Sequence, residues 1–574
     1  MSQAAPVAPA SVDTEVDDPI LPESEPAKLP RVPNPERLFD DGTLEGLEGP
    51  ARFISVQEIL LMTLEQNLDI RVEEESRDAQ AGAAFSEQGI YDPTVTARST
   101  RSRTDEQTRN LGAAGGAGAG TFDFNSSSIY QDDTVTELIL GQRTPLGTRV
   151  EIFARDHRQD IMDGRADTTL SPSYRQEAGL RVTQPLLKNF GPLVNNAPIR
   201  IANRRLDQSN WSFRGEVQER LSDVMQSYYE LIFAYLDLEV QKTALESARE
   251  LERNNRARVE VGTEPRLSLY QAEAQVAERE AQVIRAEAEI LRAQDQLRRL
   301  TNWDAESSIR TWDGPLVPTD RLFYNKDLQL QEPRLIDVAF TARPDMQIAR
   351  LETEIAEIDR DVAKRQRLPE LNAFGEYSYS GVGATRWGGA NEELDGRDYA
   401  NYSFGAEFIY PLFNRQARGR FQQTEALLRR AELSQEQLEV LITAEVRQAV
   451  RIVRTALARI QSNQRQVIAD RERVRSQRLR LQEGEGTQFE LLEAEDDLAS
   501  SRAALARALV DYQQGVVEVA RSTGTLLSQL NIAVDDQEEP QWYELNYSPE
   551  QGPAVRPGEG GLQPEIRPSA IFSN

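Results

Sequence analysis

Val261-Gly262-Thr263-Glu264-Pro265-Arg266-Leu267-Ser268-Leu269-Tyr270-Gln271-Ala272-Glu273 has a second version 222 positions further on, Glu483-Gly484-Glu485-Gly486-Thr487-Gln488-Phe489-Glu490-Leu491-Leu492-Glu493-Ala494-Glu495. In both, a glycine interrupts a very long polar helical pattern, which resumes with apolar residues five and seven positions later. The stretch reads as the tip of a helical hairpin. Gly262 and Gly484 supply the positive φ of a sharp reversal, and Thr263 and Gly486 lie in the same two turns. A helical hairpin built twice makes the chain an internal duplication, and the remaining elements are sought in pairs.

Upstream of each tip the helical pattern runs unbroken, from about Asn195 to Val261 and from about Arg415 to Glu483, except for Pro198 near the first start. Roughly 65 residues of helix extend about 100 Å. The return helices run from about Arg266 to Leu300 and from Thr487 to Leu530. Val217, Leu221, Val224, Tyr228, Leu231 and Tyr235 form a narrow apolar stripe on the first long helix. Such a stripe suits lateral packing around a wet interior better than a solid bundle.

Each long helix follows a strand that ends on a matching word, Gln184-Pro185-Leu186-Leu187 and Tyr410-Pro411-Leu412-Phe413. Pro185 and Pro411 are read as strand-to-helix junctions, because proline cannot donate to a ladder and its fixed φ suits the bend. Period-two alternation marks strands at Thr94 to Arg103 and Leu371 to Val382, returning at 178–183 and 404–409. The Gly-rich stretches Gly112 to Gly120 and Gly381 to Gly396 are expected to be the hairpin loops. An additional hairpin, Thr134 to Gln142 and Thr148 to Ala154 around Thr144-Pro145-Leu146-Gly147, has no counterpart in the second half. It adds two strands to a sheet or lies against its rim.

A helix is expected from Val56 to about Gln88 and another after Pro333. A shift of 276 lays Asn67-Leu68-Asp69-Ile70 on Arg343-Pro344-Asp345-Met346 and Pro93 on Pro369. The chain therefore divides into an acidic, Pro-rich extended segment (1–50), a first repeat (51–301), a connector (302–332), a second repeat (333–532) and a flexible tail (533–574). The connector, with Trp303, Trp312, Pro315 and Pro318, is expected to pack sideways on the helices as an equatorial collar.

Composition narrows the function. Only 39% of the 574 residues are hydrophobic and 28% are charged, which is not the profile of a thick globular core. A formal charge of −28 argues against a nucleic-acid partner. There is no Cys, and His157 is the single His, a loop residue on this reading, so thiol and imidazole chemistry and a metal site are not expected. No phosphate loop appears, since Gly112 to Gly120 lacks the Lys-Ser/Thr ending. No enzyme activity and no cofactor are expected. No apolar run reaches transmembrane-helix length, and Met1 to Pro6 lacks a signal-peptide pattern. The chain is cytoplasmic, or an export signal has been removed from this numbering.

Strand hairpins set between polar helices have edges that demand partners. Hairpins from both halves and from several copies can close into one barrel, which spans a membrane without a transmembrane helix. A cyclic homo-oligomer is the simplest closure.

In these features the sequence resembles TolC-type outer membrane efflux proteins, over roughly residues 55 to 532. The resemblance rests on the duplicated order of helix, strand hairpin and long helix. It rests also on Gln184-Pro185-Leu186-Leu187-Lys188-Asn189-Phe190-Gly191, Tyr410-Pro411-Leu412-Phe413-Asn414 and the two tip words. It implies a mixed α/β membrane protein, mainly α: a homotrimer whose β-barrel in the outer membrane is continuous with a long periplasmic α-helical barrel. Its partners would be outer-membrane lipid, a periplasmic membrane-fusion adaptor that docks at the tips, and an inner-membrane transporter. The function implied is a passive outer-membrane duct of a tripartite efflux or type I secretion system. The family's acidic ring at the periplasmic constriction falls on Glu490 and Glu493, which share one helix face. The family's tip Arg and its Asp partner fall on Gly486 and Ser268, so that lock cannot form; Arg266 is the nearby donor for Glu485 or Glu490. Trp211 and Phe213 mark a membrane boundary or are buried between helices. Rival readings are a coiled-coil scaffold, which has no use for Pro-ended strands, and a trimeric barrel-anchored adhesin, which places one barrel at one end of a stalk.

Overall fold

A computed structural model describes residues 51–113, 122–163, 172–302, 314–326, 328–483 and 485–534. The acidic segment 1–50, most of the Gly112 to Gly120 loop, Trp303, Trp312, Gly484 and the tail from 535 lie outside the described residues. In chain order the elements begin with β1 (Arg52–Ile54), α1 (Val56–Gln66), α2 (Leu68–Gln88), β2 (Thr94–Ala113), β3 (Phe122–Arg143), β4 (Arg149–Asp163) and β5 (Ser173–Pro185). Then come α3 (Pro192–Asn195), α4 (Ala197–Glu260), α5 (Arg266–Thr301), β6 (Leu316–Pro318), α6 (Glu332–Ala342), α7 (Pro344–Arg365) and β7 (Glu370–Gly383). The order closes with α8 (Asn391–Gly396), β8 (Ala400–Ile409), α9 (Arg415–Gln482), α10 (Gln488–Ser522) and α11 (Leu526–Gln529). The described residues divide into two compact units, one of 51–66, 221–330 and 448–519, the other of 67–220, 331–447 and 520–534.

The first unit is helical. The apolar stripe of α4 is its core: Leu221, Val224, Tyr228, Leu231 and Tyr235 are all 0% exposed. Part of the connector lies across this stripe, where β6 pairs in parallel with β1, a pairing that strands of three residues hid from the periodicity reading. The Tyr228 hydroxyl reaches both the Ile54 carbonyl (3.0 Å) and Asp320 Oδ2 (2.6 Å), and Tyr235 donates to the Leu316 carbonyl (2.9 Å). Asp320 Oδ2 also accepts from the Val56 N–H at 2.7 Å, so it caps α1 from a distant part of the sequence. Arg298, buried, donates to the Gly314 carbonyl at 2.7 Å.

Asp237 follows this cluster on α4, and burial pushes its carboxyl above the ordinary range, offset by a hydrogen bond from Gln241. A carboxyl raised in the folded state stabilises it most at pH below the unfolded pKa. That contribution is lost as pH rises through the folded value. Asp237→Asn is therefore expected to raise the melting temperature at pH 7 and to leave it unchanged near pH 3, measured by circular dichroism. A lower melting temperature at pH 7 would show the carboxylate to be well paired instead.

In the second unit the helices break where the sequence suggested continuity. The expected single helix from Val56 to Gln88 is two, because Asn67 turns extended (φ −62°, ψ 126°) and its Oδ1 accepts from the Ile70 N–H at 3.0 Å, capping α2. At the position 276 residues later, Arg343 separates α6 from α7, and Pro344 starts α7. The buried Arg343 guanidinium bonds Asp345 (2.7 Å), Glu445 (2.6 Å) and the Ser522 carbonyl (3.1 Å). The return helix expected to reach Leu530 stops at Ser522. Gly524 has φ +72°, and a Cβ there would lie 2.8 Å from the Ala342 carbonyl oxygen. Phe213 is buried beneath the Arg77 guanidinium, 4.6 Å from the ring centroid, which settles it as a packing residue.

The same unit holds one antiparallel sheet in the order β2-β3-β4-β5-β7-β8. This corrects the expected pairing of Thr94–Arg103 with the strand at 178–183. The additional hairpin sits between them, with β2 on β3 and β5 on β4. Its turn is the expected one: Gly147 (φ +89°) donates to the Thr144 carbonyl at 2.8 Å. Gly381 to Gly396 is not a plain loop, since it carries one turn of π-helix (Arg386–Ala390) and α8.

Candidate channel wall and entrance

Strand register sorts the sheet's side chains onto two unlike faces. On one face, Val95, Leu140, Ile152, Leu180, Tyr377 and Tyr402 are successive cross-strand partners, an apolar row crossing all six strands. The neighbouring row is Ala97, Leu138, Ala154, Ala178, Tyr379 and Ala400. On the other side Gln142, Val150, Val182, Gly375 and Phe404 form a third. This face is bare. Val95 is 70% exposed, Tyr402 76% and Phe404 83%.

The opposite face carries charge. Arg155 pairs with Glu137 (2.7 Å) and Glu177 (3.4 Å), and Arg181 pairs with Glu376 (2.7 Å) and Glu151 (3.5 Å). His157 Nε2 lies 3.1 Å from Asp133, so the residue read as a loop histidine is part of β4. Phe153, 3% exposed, is covered by the guanidinium groups of Arg155 and Arg181. In a water-soluble protein the apolar face is the hidden one. Here the exposed face is apolar and the covered face is polar, as in a barrel wall between lipid and a wet lumen. The sequence carried this signal in Val150-Glu151-Ile152 and Leu180-Arg181-Val182, where charge alternates with apolar residues.

The two proline junctions differ. Pro185 ends β5 opposite Asn372, the next residue, Leu186, donates to the Leu371 carbonyl at 2.7 Å, and α3 intervenes before α4. Pro411 leads directly into α9. Its carbonyl accepts from the Asn414 N–H at 3.1 Å, and Asn414, with φ 43°, donates its side-chain amide to the Arg367 carbonyl at 2.9 Å.

At the tips, both in the helical unit, Gly262 has φ +79° with open space around it, and Thr263 closes the turn with its N–H and Oγ1 on the Arg258 carbonyl (2.9 and 3.0 Å). In the second turn Glu485 and Gly486 donate to the Arg480 carbonyl at 2.9 and 3.1 Å. Thr487 and Glu490 then form a reciprocal cap. The Glu490 N–H bonds Thr487 Oγ1 (3.3 Å), and the Thr487 N–H bonds the Glu490 carboxylate (3.4 Å). Glu490 is thus half-buried on its own helix end, whereas Glu493 is exposed. Arg266 forms no ion pair with Glu485 or Glu490, so the expected substitute lock is absent among the described residues. What joins the hairpins instead is a reciprocal amide pair, buried Asn255 with Gln488, together with an Arg279–Asp496 ion pair.

The family model for the outer membrane efflux protein matches residues 149–302 and 335–525. The chain belongs to this family. Solved structures similar to this outer membrane efflux protein include the outer-membrane channel OprN, at 19% identity and TM-score 0.58 over 82% of this chain and 90% of that one. The Campylobacter jejuni outer membrane channel CmeC matches at 15% identity and TM-score 0.58, over 82% and 86%. The Neisseria gonorrhoeae outer membrane channel MtrE, in its open state, matches at 16% and 0.56, over 82% and 89%. Among curated proteins none matches in sequence. These likenesses are of fold, and all three structures are of outer-membrane channels. Membership excludes the scaffold and adhesin readings as descriptions of the family.

Proposed function

We propose that three copies of this chain form a passive duct through the outer membrane, its helices standing in the periplasm. It would receive cargo from an inner-membrane transporter through an adaptor at the tips. The observation that carries the reading is the inverted sheet: an exposed apolar face backed by the Arg155 and Arg181 ion-pair ladder. The two-repeat division at 51–301 and 333–532 supports it, since helix breaks at Asn67 and Arg343 and glycine tips recur in both halves. Glu490 and Glu493 would contribute an acidic ring at the entrance.

Reconstituted in a planar bilayer, the protein is expected to conduct ions as a trimer. Membrane-inserted protein that never conducts would end the reading. Glu490→Ala with Glu493→Ala is expected to lower cation preference several-fold and weaken block by multivalent cations. Because Glu490 also caps α10, Glu493→Ala alone separates selectivity from the roughly 1 kcal/mol loss of a cap. Unchanged reversal potentials in both variants would remove the ring.

A further inference from the structure

Resting on the duct reading, we infer that the barrel closes with eighteen strands, six from each of three copies, and that β3 and β4 belong to its membrane wall. The apolar row passes without a gap from Val95 through Leu140 and Ile152 to Leu180. With β3 and β4 outside the wall, β2 would have to pair with β5. The paired lengths of β3 and β4 would then lose a ladder on both outer sides, and Leu140 and Ile152 their lipid.

The sheet's free edges point to a second copy of this chain as the occupant. Strands alternate in direction over an even number, so β8 of one copy runs antiparallel to β2 of the next and the ring closes with uniform pairing. Edges that stay single are blunted by Lys, Pro or a bulge. β8, Ala400-Asn401-Tyr402-Ser403-Phe404-Gly405-Ala406-Glu407-Phe408-Ile409, has no Lys, Arg or Pro, and its apolar side chains run up to the edge. Strands about 4.8 Å apart and tilted about 40° give eighteen strands a diameter of about 36 Å, against about 24 Å for twelve. A wall of that size encloses an aqueous channel, which leaves selection of cargo by size to the helical part.

The chain has no Cys, so single cysteines report cleanly. Leu140→Cys, Ile152→Cys, Ile139→Cys, Leu180→Cys and Tyr402→Cys, each made in the full chain, would carry a fluorescent maleimide in vesicles containing brominated phospholipid. Labels at 140, 152, 180 and 402 are expected to lose most of their emission, and the label at 139, on the charged face, little. Quenching at 180 and 402 but not at 140 and 152 would overturn the inference and leave the duct standing. No quenching at any position would overturn both. In double variants, Tyr402→Cys is expected to form an intermolecular disulfide with one of the same-face positions Val95, Ala97, Ser99, Arg101 or Arg103 and to yield covalent trimers. Failure of the whole series with 140 and 152 quenched would overturn closure of β8 on β2.

Discussion

Tyr228→Ala is expected to destabilise the helical unit by about 3–5 kcal/mol, the cost of truncating a fully buried aromatic side chain. Tyr228 is 0% exposed and edge-on to Tyr229, with ring centroids 6.1 Å apart. Its hydroxyl holds the Ile54 carbonyl and Asp320 together. Burial and the Asp320 charge push that hydroxyl far above the ordinary tyrosine range, so it remains a donor at every pH the protein meets. Tyr228→Phe keeps the ring and is expected to cost only about 1 kcal/mol, because the Ile54 carbonyl keeps the Thr319 N–H and Asp320 keeps the Val56 N–H when the hydroxyl is lost. Urea denaturation in detergent, followed by circular dichroism, separates the two. If both variants cost the same, the hydroxyl and not the ring dominates, and the packing argument fails.

On the duct reading, Leu180→Arg has the second largest expected effect, acting through the membrane. An Arg on a lipid-facing strand costs about 2–4 kcal/mol near the bilayer midplane. Leu180 lies within the apolar row, between Ile152 and Tyr377. The next residue, Arg181, points to the other face, where Arg181→Leu removes half-exposed pairs with Glu151 and Glu376. That loss is expected to be about 1 kcal/mol or less. Heat-resistance of the assembled species on gels and its yield in membranes are the readouts. Equal losses from the two substitutions would mean that the sheet does not present one face to lipid.

The long helices were legible because an unbroken 3.6-residue pattern over more than sixty positions leaves no competing period, and α4 and α9 end within a residue or two of the glycine words. The breaks at Asn67 and Arg343 were not. Both positions lie inside segments whose apolar spacing is helical on either side. In fact a side-chain cap at one, and a proline on the next residue at the other, stop the helix. β1 and β6 escaped because three residues carry no periodicity, and their pairing depends on Tyr228 and Tyr235 far away in sequence. Strand existence was readable from alternation, yet strand order was not, since alternation says which face a residue takes and nothing about its neighbour. At the tip Glu490 and Glu493 come from the family resemblance and not from the residue pattern. The cap that occupies Glu490 follows from Thr487 three residues before it, a spacing present in the sequence.

The inverted sheet also constrains the order in which the chain matures. The hairpin of α4 and α5 buries its tyrosines within its own unit and requires no lipid to do so. Val95, Leu180, Tyr402 and Phe404 have no such shelter inside one copy, and in water their rows are a surface for aggregation. On the duct reading, the helices can therefore form before the wall is complete. On the same reading, a copy in an aqueous compartment would need cover over β2 to β8 until lipid and its neighbours take that place.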